Sequence, residues 1–230
     1  PPSRASLYTG LYPHRHGLNH IRGRAQKHVK SLPHYLSELG YEVTLAGKFD
    51  IQPKSVFPFR HVQKEKAQKF IKNPPDHPFC LIVATRDPHP PYYPKSVITG
   101  GIDPDEIQLA PYMIDGPQTR ELVAAYYDKV KKMDSELGTY LDLLKETGLE
   151  KNTLCLYTSD NGPALPFAKW TLYDAGLNVP FVVKWPAVVK KSTVSKALLS
   201  FTDVLPTLIE LAGGSPPQIG RASCRERVCH

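Results

Sequence analysis

Pro78-Phe79-Cys80-Leu81-Ile82-Val83-Ala84-Thr85 is a continuous apolar run that opens into the proline-rich loop Asp87-Pro88-His89-Pro90-Pro91-Tyr92-Tyr93-Pro94. A run without polar alternation suits a strand buried on both faces, as in a parallel sheet covered by helices. Residues 153–158 read the same way and lead into Ser159-Asp160-Asn161-Gly162. Residues 41–46 form a third strand, ending at Gly47-Lys48, and residues 179–185 a fourth, which Pro180 places near an edge or a strand start. Helical patterns lie between them. Residues 31–39 have Pro33 near the first turn and Gly40 as a stop. Residues 62–72 form a basic amphipathic helix with Ala67, Phe70 and Ile71 turned inward. The longest pattern runs from about residue 118 to 147, where Leu122, Tyr126, Val130, Met133, Leu137 and Leu141 recur at helical spacing. A last helix covers residues 203–212.

Strands alternating with helices predict an α/β fold with a mostly parallel sheet flanked by helices. In such sheets ligands gather at the carboxyl ends of the strands. Lys48, Asp87, His89, Asp160 and Asn161 all stand at such ends. Elsewhere, Ser3 is placed to cap a short helix that Gly10 ends. Residues 12–17 and 95–117 read as loops.

The 230 residues suffice for one sizeable domain, and the 41% hydrophobic content is ordinary. No apolar run is long enough to cross a bilayer. The formal charge of +7 suits an anionic partner, but the basic residues form no block and no nucleic-acid module spacing is present. Cys80 and Cys155 sit in apolar runs and read as small buried hydrophobes. Cys224 and Cys229 lie in residues 219–230, where composition changes abruptly and the string resembles a translated sequencing adapter. That tail is expected to be non-native. Its three arginines against one glutamate account for two of the net positive charges.

Taken singly, the polar candidates are ambiguous. Asp160 and Asn161 are adjacent oxygen donors suited to a hard divalent cation, but Asp-Asn-Gly is also a strong turn former, and spacing alone favours the turn. Lys48 and Lys169 could each face an anion or simply be solvated. His89 could be an anion donor, a general acid or a surface histidine in a stiff turn. Arg4, just after Ser3 at a helix start, could add a planar donor fork for an oxyanion. His14, His16 and His20 do not match a zinc motif, and loop packing is the expected role of the first two.

Together they resemble the sulfatase family. Pro1-Pro2-Ser3-Arg4-Ala5-Ser6-Leu7-Tyr8-Thr9-Gly10 is similar to the sulfatase signature without its first residue. Gly47-Lys48, Asp87-Pro88-His89, residues 127–138, Ser159-Asp160-Asn161-Gly162, Lys169 and Asp203-Val204-Leu205-Pro206-Thr207 then follow in the family's order, over roughly residues 1–212. Val56-Phe57-Pro58-Phe59 and the surroundings of Ser159-Asp160-Asn161-Gly162 look nearest to heparan N-sulfatase (sulfamidase)-like members.

The resemblance implies an incomplete alkaline-phosphatase-like sandwich. Residues 1–218 would be part of a sulfatase catalytic domain and residues 219–230 the added tail. It implies a sulfuric ester or sulfamate hydrolase acting on a sulfated carbohydrate, with a formylglycine nucleophile made from a Cys or Ser just before Pro1. It also implies a calcium ion. Asp160 and Asn161 would be metal ligands, Arg4 would hold the formylglycine, and Lys48 and Lys169 would bind sulfate oxygens. His89 would assist the sulfate or the leaving group. The family implies a periplasmic or secreted protein. The nucleophile position and the family's paired Asp ligands would lie upstream, so these 230 residues alone are expected to release no sulfate. The family often has His two residues after the Gly-Lys lysine, where this chain has Asp50. Alternatives are a phosphoester or phosphonate hydrolase of the same superfamily, or a non-catalytic binder of sulfated glycans.

Overall fold

In the computed structural model, which describes residues 1–93 and 101–217, β1 (Glu42–Gly47) is the centre of a three-stranded sheet of order β2-β1-β3. Val43, Thr44, Leu45 and Ala46 are all buried, as a central parallel strand with no solvated face requires. β2 (Arg60–Val62) and β3 (Phe79–Ala84) both pair with it in parallel, so that Leu45 stands beside His61 on one side and Ile82 on the other. β3 is half-buried along its length rather than buried on both faces. It is an edge of this sheet, and the apolar content of a run does not report which neighbours cover it. β2 takes the start of the stretch expected to be helical, because pairing with β1 overrides a local pattern there. The helix α4 is Lys66–Lys72, with Ala67 and Ile71 buried and Phe70 edge-on to Phe79.

The chain divides into two compact units, and this sheet belongs to the first, Pro1–Ala84 with the chain from Lys191 onward. Its core joins Ala5 and Tyr8 of α1 (Pro2–Thr9), Leu32 and Leu36 of α3 (Leu32–Glu38), Val43 and Leu45 of β1, Phe57, Phe59, and Leu205 and Ile209 of α7 (Phe201–Leu211). Each large side chain buried there contributes about 1.5–3 kcal/mol. α1 is capped by Pro1, not by Ser3. Pro2 takes the first helical position, where a missing N–H costs nothing, and this places Ser3 inside the first turn. Gly10, at φ 65°, ends the helix and donates to the Ser6 carbonyl at 2.9 Å. α7 starts before Asp203. Ser200 is the cap, and Asp203 is the third helical residue, accepting from the Ser200 N–H at 2.8 Å.

The second unit, Thr85–Lys190, is organised by α5 (Pro117–Glu146). Its buried residues are Val123, Ala124, Ala125, Tyr140, Leu143 and Leu144, a face rotated from the expected stripe. Leu122 is exposed, and Tyr126, Val130, Met133, Leu137 and Leu141 are half-buried. The alanines let Ile107 and Leu165 approach Val123 and Ala124 closely, which a pattern of large residues does not reveal. Arg120 fixes the helix start, forking Asp115 at 2.6 and 2.7 Å and donating to the Ile107 carbonyl at 3.1 Å. β4 (Cys155–Thr158) pairs with β5 (Phe181–Lys184) in antiparallel register, Leu156 opposite Val183. β4 is half-buried and β5 mostly exposed, consistent with the edge position that Pro180 implies. The short helix α6 (Asp174–Leu177) was not legible in the sequence pattern. Cys80 and Cys155 are free thiols, and burial pushes Cys80 up to about 12. Among the described residues no helix is long and apolar enough to cross a membrane. The tail at 219–230, with Cys224 and Cys229, and loop residues 94–100 lie outside the described residues.

The loop at residues 12–17 contains a helical turn, α2 (Pro13–His16), which seats His16 in full burial. The Leu18 N–H donates to His16 Nδ1 at 3.1 Å, so Nε2 carries the hydrogen and faces Ser6 Oγ at 3.2 Å. A second proton would break the Leu18 bond inside the core. Burial, reinforced by nearby His14, lowers His16 to about 4. Because the unfolded chain protonates near pH 6.5 and the folded one near 4, stability is complete above pH 6.5 and falls as pH drops toward 4. The loss over that window is about 3 kcal/mol. Thermal melts of wild type and His16→Gln between pH 7 and 4 check this, with the variant expected to lose the histidine-dependent part of the slope.

Candidate functional site

In the first unit the end of β1 is shaped by a close backbone approach. Gly47 sits at φ 100°, and a Cβ on it would overlap the Ala84 carbonyl oxygen at the end of β3. The same carbonyl accepts the Lys48 N–H at 2.9 Å, so Gly47 turns the chain and Lys48 leaves the sheet at a fixed point. Arg4, from α1, reaches this point and points a guanidinium nitrogen at the Lys48 carbonyl, 3.5 Å away. Asp50 Oδ2 lies 3.3 Å from Lys48 Nζ and 3.7 Å from an Arg4 guanidinium nitrogen. One carboxylate thus holds two cations side by side. Asp50 is 53% exposed, so each pair contributes at most about 1 kcal/mol to stability. Its value is geometric, since it keeps Arg4 and Lys48 from repelling each other. Only the short Lys48-Phe49-Asp50 spacing hints at this in the sequence.

In the second unit the loop after β3 is fastened to α5. Asp87 pairs with Lys129 at 3.3 Å and Lys132 at 3.1 Å. Burial would raise its carboxyl, but hydrogen bonds and attraction from Lys132 and Lys129 outweigh this and hold it below the usual range. Lys129 also donates to the His89 carbonyl at 2.7 Å. His89 Nδ1 lies 2.7 Å from the Pro90 carbonyl, which can only accept. The hydrogen is therefore on Nδ1, and exposed Nε2 is an acceptor when the ring is neutral and a donor when it is charged.

Asp160 and Asn161 follow β4 in a bend, and the Gly162 N–H that would close an Asx turn on Asp160 donates instead to the Gly176 carbonyl. Ser159 Oγ donates to the Asn161 carbonyl at 2.9 Å, and Asn161 Nδ2 donates to the Gly162 carbonyl at 2.7 Å. With its amide nitrogen so engaged, Asn161 keeps its side-chain oxygen as an acceptor. Two hard oxygens in a half-buried turn fit a calcium or magnesium ion, which takes six or more oxygens. Among the described residues no group of three or more His, Cys, Asp or Glu is placed to hold a metal.

Gly162 anchors the same turn. A Cβ there would overlap the Ala175 carbonyl oxygen, and the Gly162 N–H donates to the Gly176 carbonyl at 3.1 Å. Gly176 in turn approaches the Ala168 carbonyl too closely for a side chain. The Lys169 N–H donates to the Pro163 carbonyl at 2.9 Å. These contacts tie Lys169 to the Asp160–Asn161 turn through backbone alone, a link that glycine positions hint at but spacing does not locate. Lys169 is half-buried, with its ammonium 5.4 Å from the ring centre of Trp170.

The sulfatase family model matches residues 61–215, and the chain belongs to the sulfatase family. It is 32% identical to an ulvan-active sulfatase of Formosa agariphila over 94% of this chain and 45% of that protein. It is 30% identical to human N-sulphoglucosamine sulphohydrolase over 91% of this chain and 50% of the relative. The chain therefore spans about half the length of the curated relatives it matches. In fold it is similar to a solved Bacteroides thetaiotaomicron protein described with glycosaminoglycan metabolism, at TM-score 0.81, 21% identity, and 92% and 60% coverage of the two chains. It is also similar to a phosphonate monoester hydrolase from Silicibacter pomeroyi, at TM-score 0.76, 18% identity, and 96% and 65% coverage. These likenesses establish the alkaline-phosphatase-like α/β fold, here as a partial domain.

Gly162→Ala is expected to lower stability by about 3 kcal/mol, because its Cβ meets backbone rather than a movable side chain. Gly148→Ala, at φ 73° with open space around it, is expected to cost only about 1 kcal/mol. Chemical denaturation of both variants measures the difference.

Proposed function

We propose that the whole protein is a hydrolase that removes sulfate, as an ester or sulfamate, from a carbohydrate. The observation that carries this reading is the paired cations at the end of β1, where Arg4 and Lys48 are held together by Asp50. A sulfuryl-transfer transition state spreads negative charge over the peripheral and bridging oxygens, and fixed cations stabilise it without reorganising. The sulfatase family membership and the ulvan-active and N-sulphoglucosamine-acting relatives support the substrate class.

In this reading residues 1–218 are part of the catalytic domain. Lys48 and Lys169 bind sulfate oxygens, and Arg4 orients the nucleophile. His89, its Nδ1 engaged with Pro90, uses Nε2 to assist the sulfate or the leaving group. Asp160 and Asn161 hold a calcium ion, which when bound polarises the sulfate oxygens. A formylglycine preceding Pro1 supplies the nucleophile, so residues 1–230 alone release no sulfate. The reading includes export to the periplasm or beyond the cell.

The test is sulfate release by the whole protein from ulvan oligosaccharides, heparin-derived disaccharides and an aryl sulfate, beside an aryl phosphate. Sulfate turnover that calcium chelation abolishes is expected, with Lys48→Ala and Lys169→Ala each losing about a hundredfold in kcat. Dominant phosphate turnover would instead assign the chain to the phosphonate hydrolase side of the superfamily. Glycan binding without turnover would mark a binder, the outcome that Asp50 in place of the family His allows.

A further inference from the structure

Phe167, Trp170 and Tyr173 form an aromatic strip around Lys169, and these three rings have no part in the reading above. Trp170 is 85% exposed and Tyr173 61%, with Phe167 half outside the surface. Phe167 and Trp170 both adopt left-handed backbone, at φ 59° and 68°. Bulky side chains rarely adopt this conformation, and such strain concentrates at sites that grip ligands. The strip is orderly. Phe167 meets Tyr112 edge-on at 5.7 Å and Tyr173 at 5.9 Å. Buried Ala168 and the Gly162–Gly176 contact lock it to the Asp160–Asn161 turn. Lys169 stands over the Trp170 ring at 5.4 Å, within cation–π range.

The geometry points to Trp170 as a stacking platform for the pyranose ring of a sulfated sugar, with Lys169 beside it to meet the sulfate. A flat exposed ring offers the apolar C–H face of a sugar a large contact of low entropy cost, and an adjoining cation selects a sugar carrying an anion. A purely apolar covering surface would have to strand the Lys169 charge, whereas a sulfated ring satisfies both groups. This inference rests on the sulfated-carbohydrate reading and adds the residue that would grip the sugar rather than the sulfur.

The test is calorimetric binding of ulvan oligosaccharides and heparin-derived disaccharides to the whole protein, with melting temperatures recorded alongside. Trp170→Ala is expected to weaken the saccharide that binds by about tenfold, with no fall in melting temperature. Trp170→Phe is expected to restore most of the affinity. Unchanged affinity in Trp170→Ala, failure of the wild type to bind any of these saccharides, or a marked fall in melting temperature overturns the proposal. Trp170-dependent binding without sulfate release from any probe removes the catalytic reading and leaves this one standing. Sulfate release together with wild-type affinity in Trp170→Ala does the reverse.

Discussion

Contact of backbone with backbone, with no room for a Cβ, is the constraint on which both groups of candidate residues depend. At Gly47 the chain touches the Ala84 carbonyl, and at Gly162 it touches that of Ala175. A main chain so held cannot shift by the few tenths of an ångström that a side-chain contact would tolerate. The residues just beyond, Lys48 in one unit and the Asp160–Asn161 turn in the other, inherit that rigidity. Catalysis by preorganised charge needs this, because a cation that must move into place yields much of its effect to reorganisation.

Charge is handled by the same logic of fixed neighbours. Asp50 lets two cations sit side by side, and Asp87 gathers Lys129 and Lys132 beneath the His89 loop. These pairs matter less for stability than for where they hold their partners. His16 is the opposite case, a histidine kept neutral because its Nδ1 already accepts the Leu18 N–H in the core. Its place under α1 makes it a packing residue, in line with the loop-packing role expected from the sequence.

The strands at Glu42–Gly47, Phe79–Ala84 and Cys155–Thr158, and the long helix Pro117–Glu146, were legible because apolar runs and helical spacing are local signals. The polar residues at the strand ends could be picked out for the same reason. What depends on distant partners could not. β2 forms only because β1 lies beside it, and the buried face of α5 is set by Val123 and Ala124 meeting Ile107 and Leu165. The antiparallel direction of the β4–β5 pair within a mostly parallel fold was not legible, because pairing direction is settled by connection geometry, not composition. Asp50 as a shared counter-ion needed Arg4 to be brought in from 46 positions away. Trp170 leaves no periodic trace, because it is an exposed ring in a loop.

On the proposed reading, a formylglycine nucleophile immediately precedes Pro1. Tandem mass spectrometry of the peptide leading into Pro1-Pro2-Ser3-Arg4, taken from the whole protein in its native host, tests it most directly. The account predicts a Cys or Ser codon at that position and the mass of formylglycine in the peptide. Any other residue there, or an unmodified side chain in protein that releases sulfate, would contradict it.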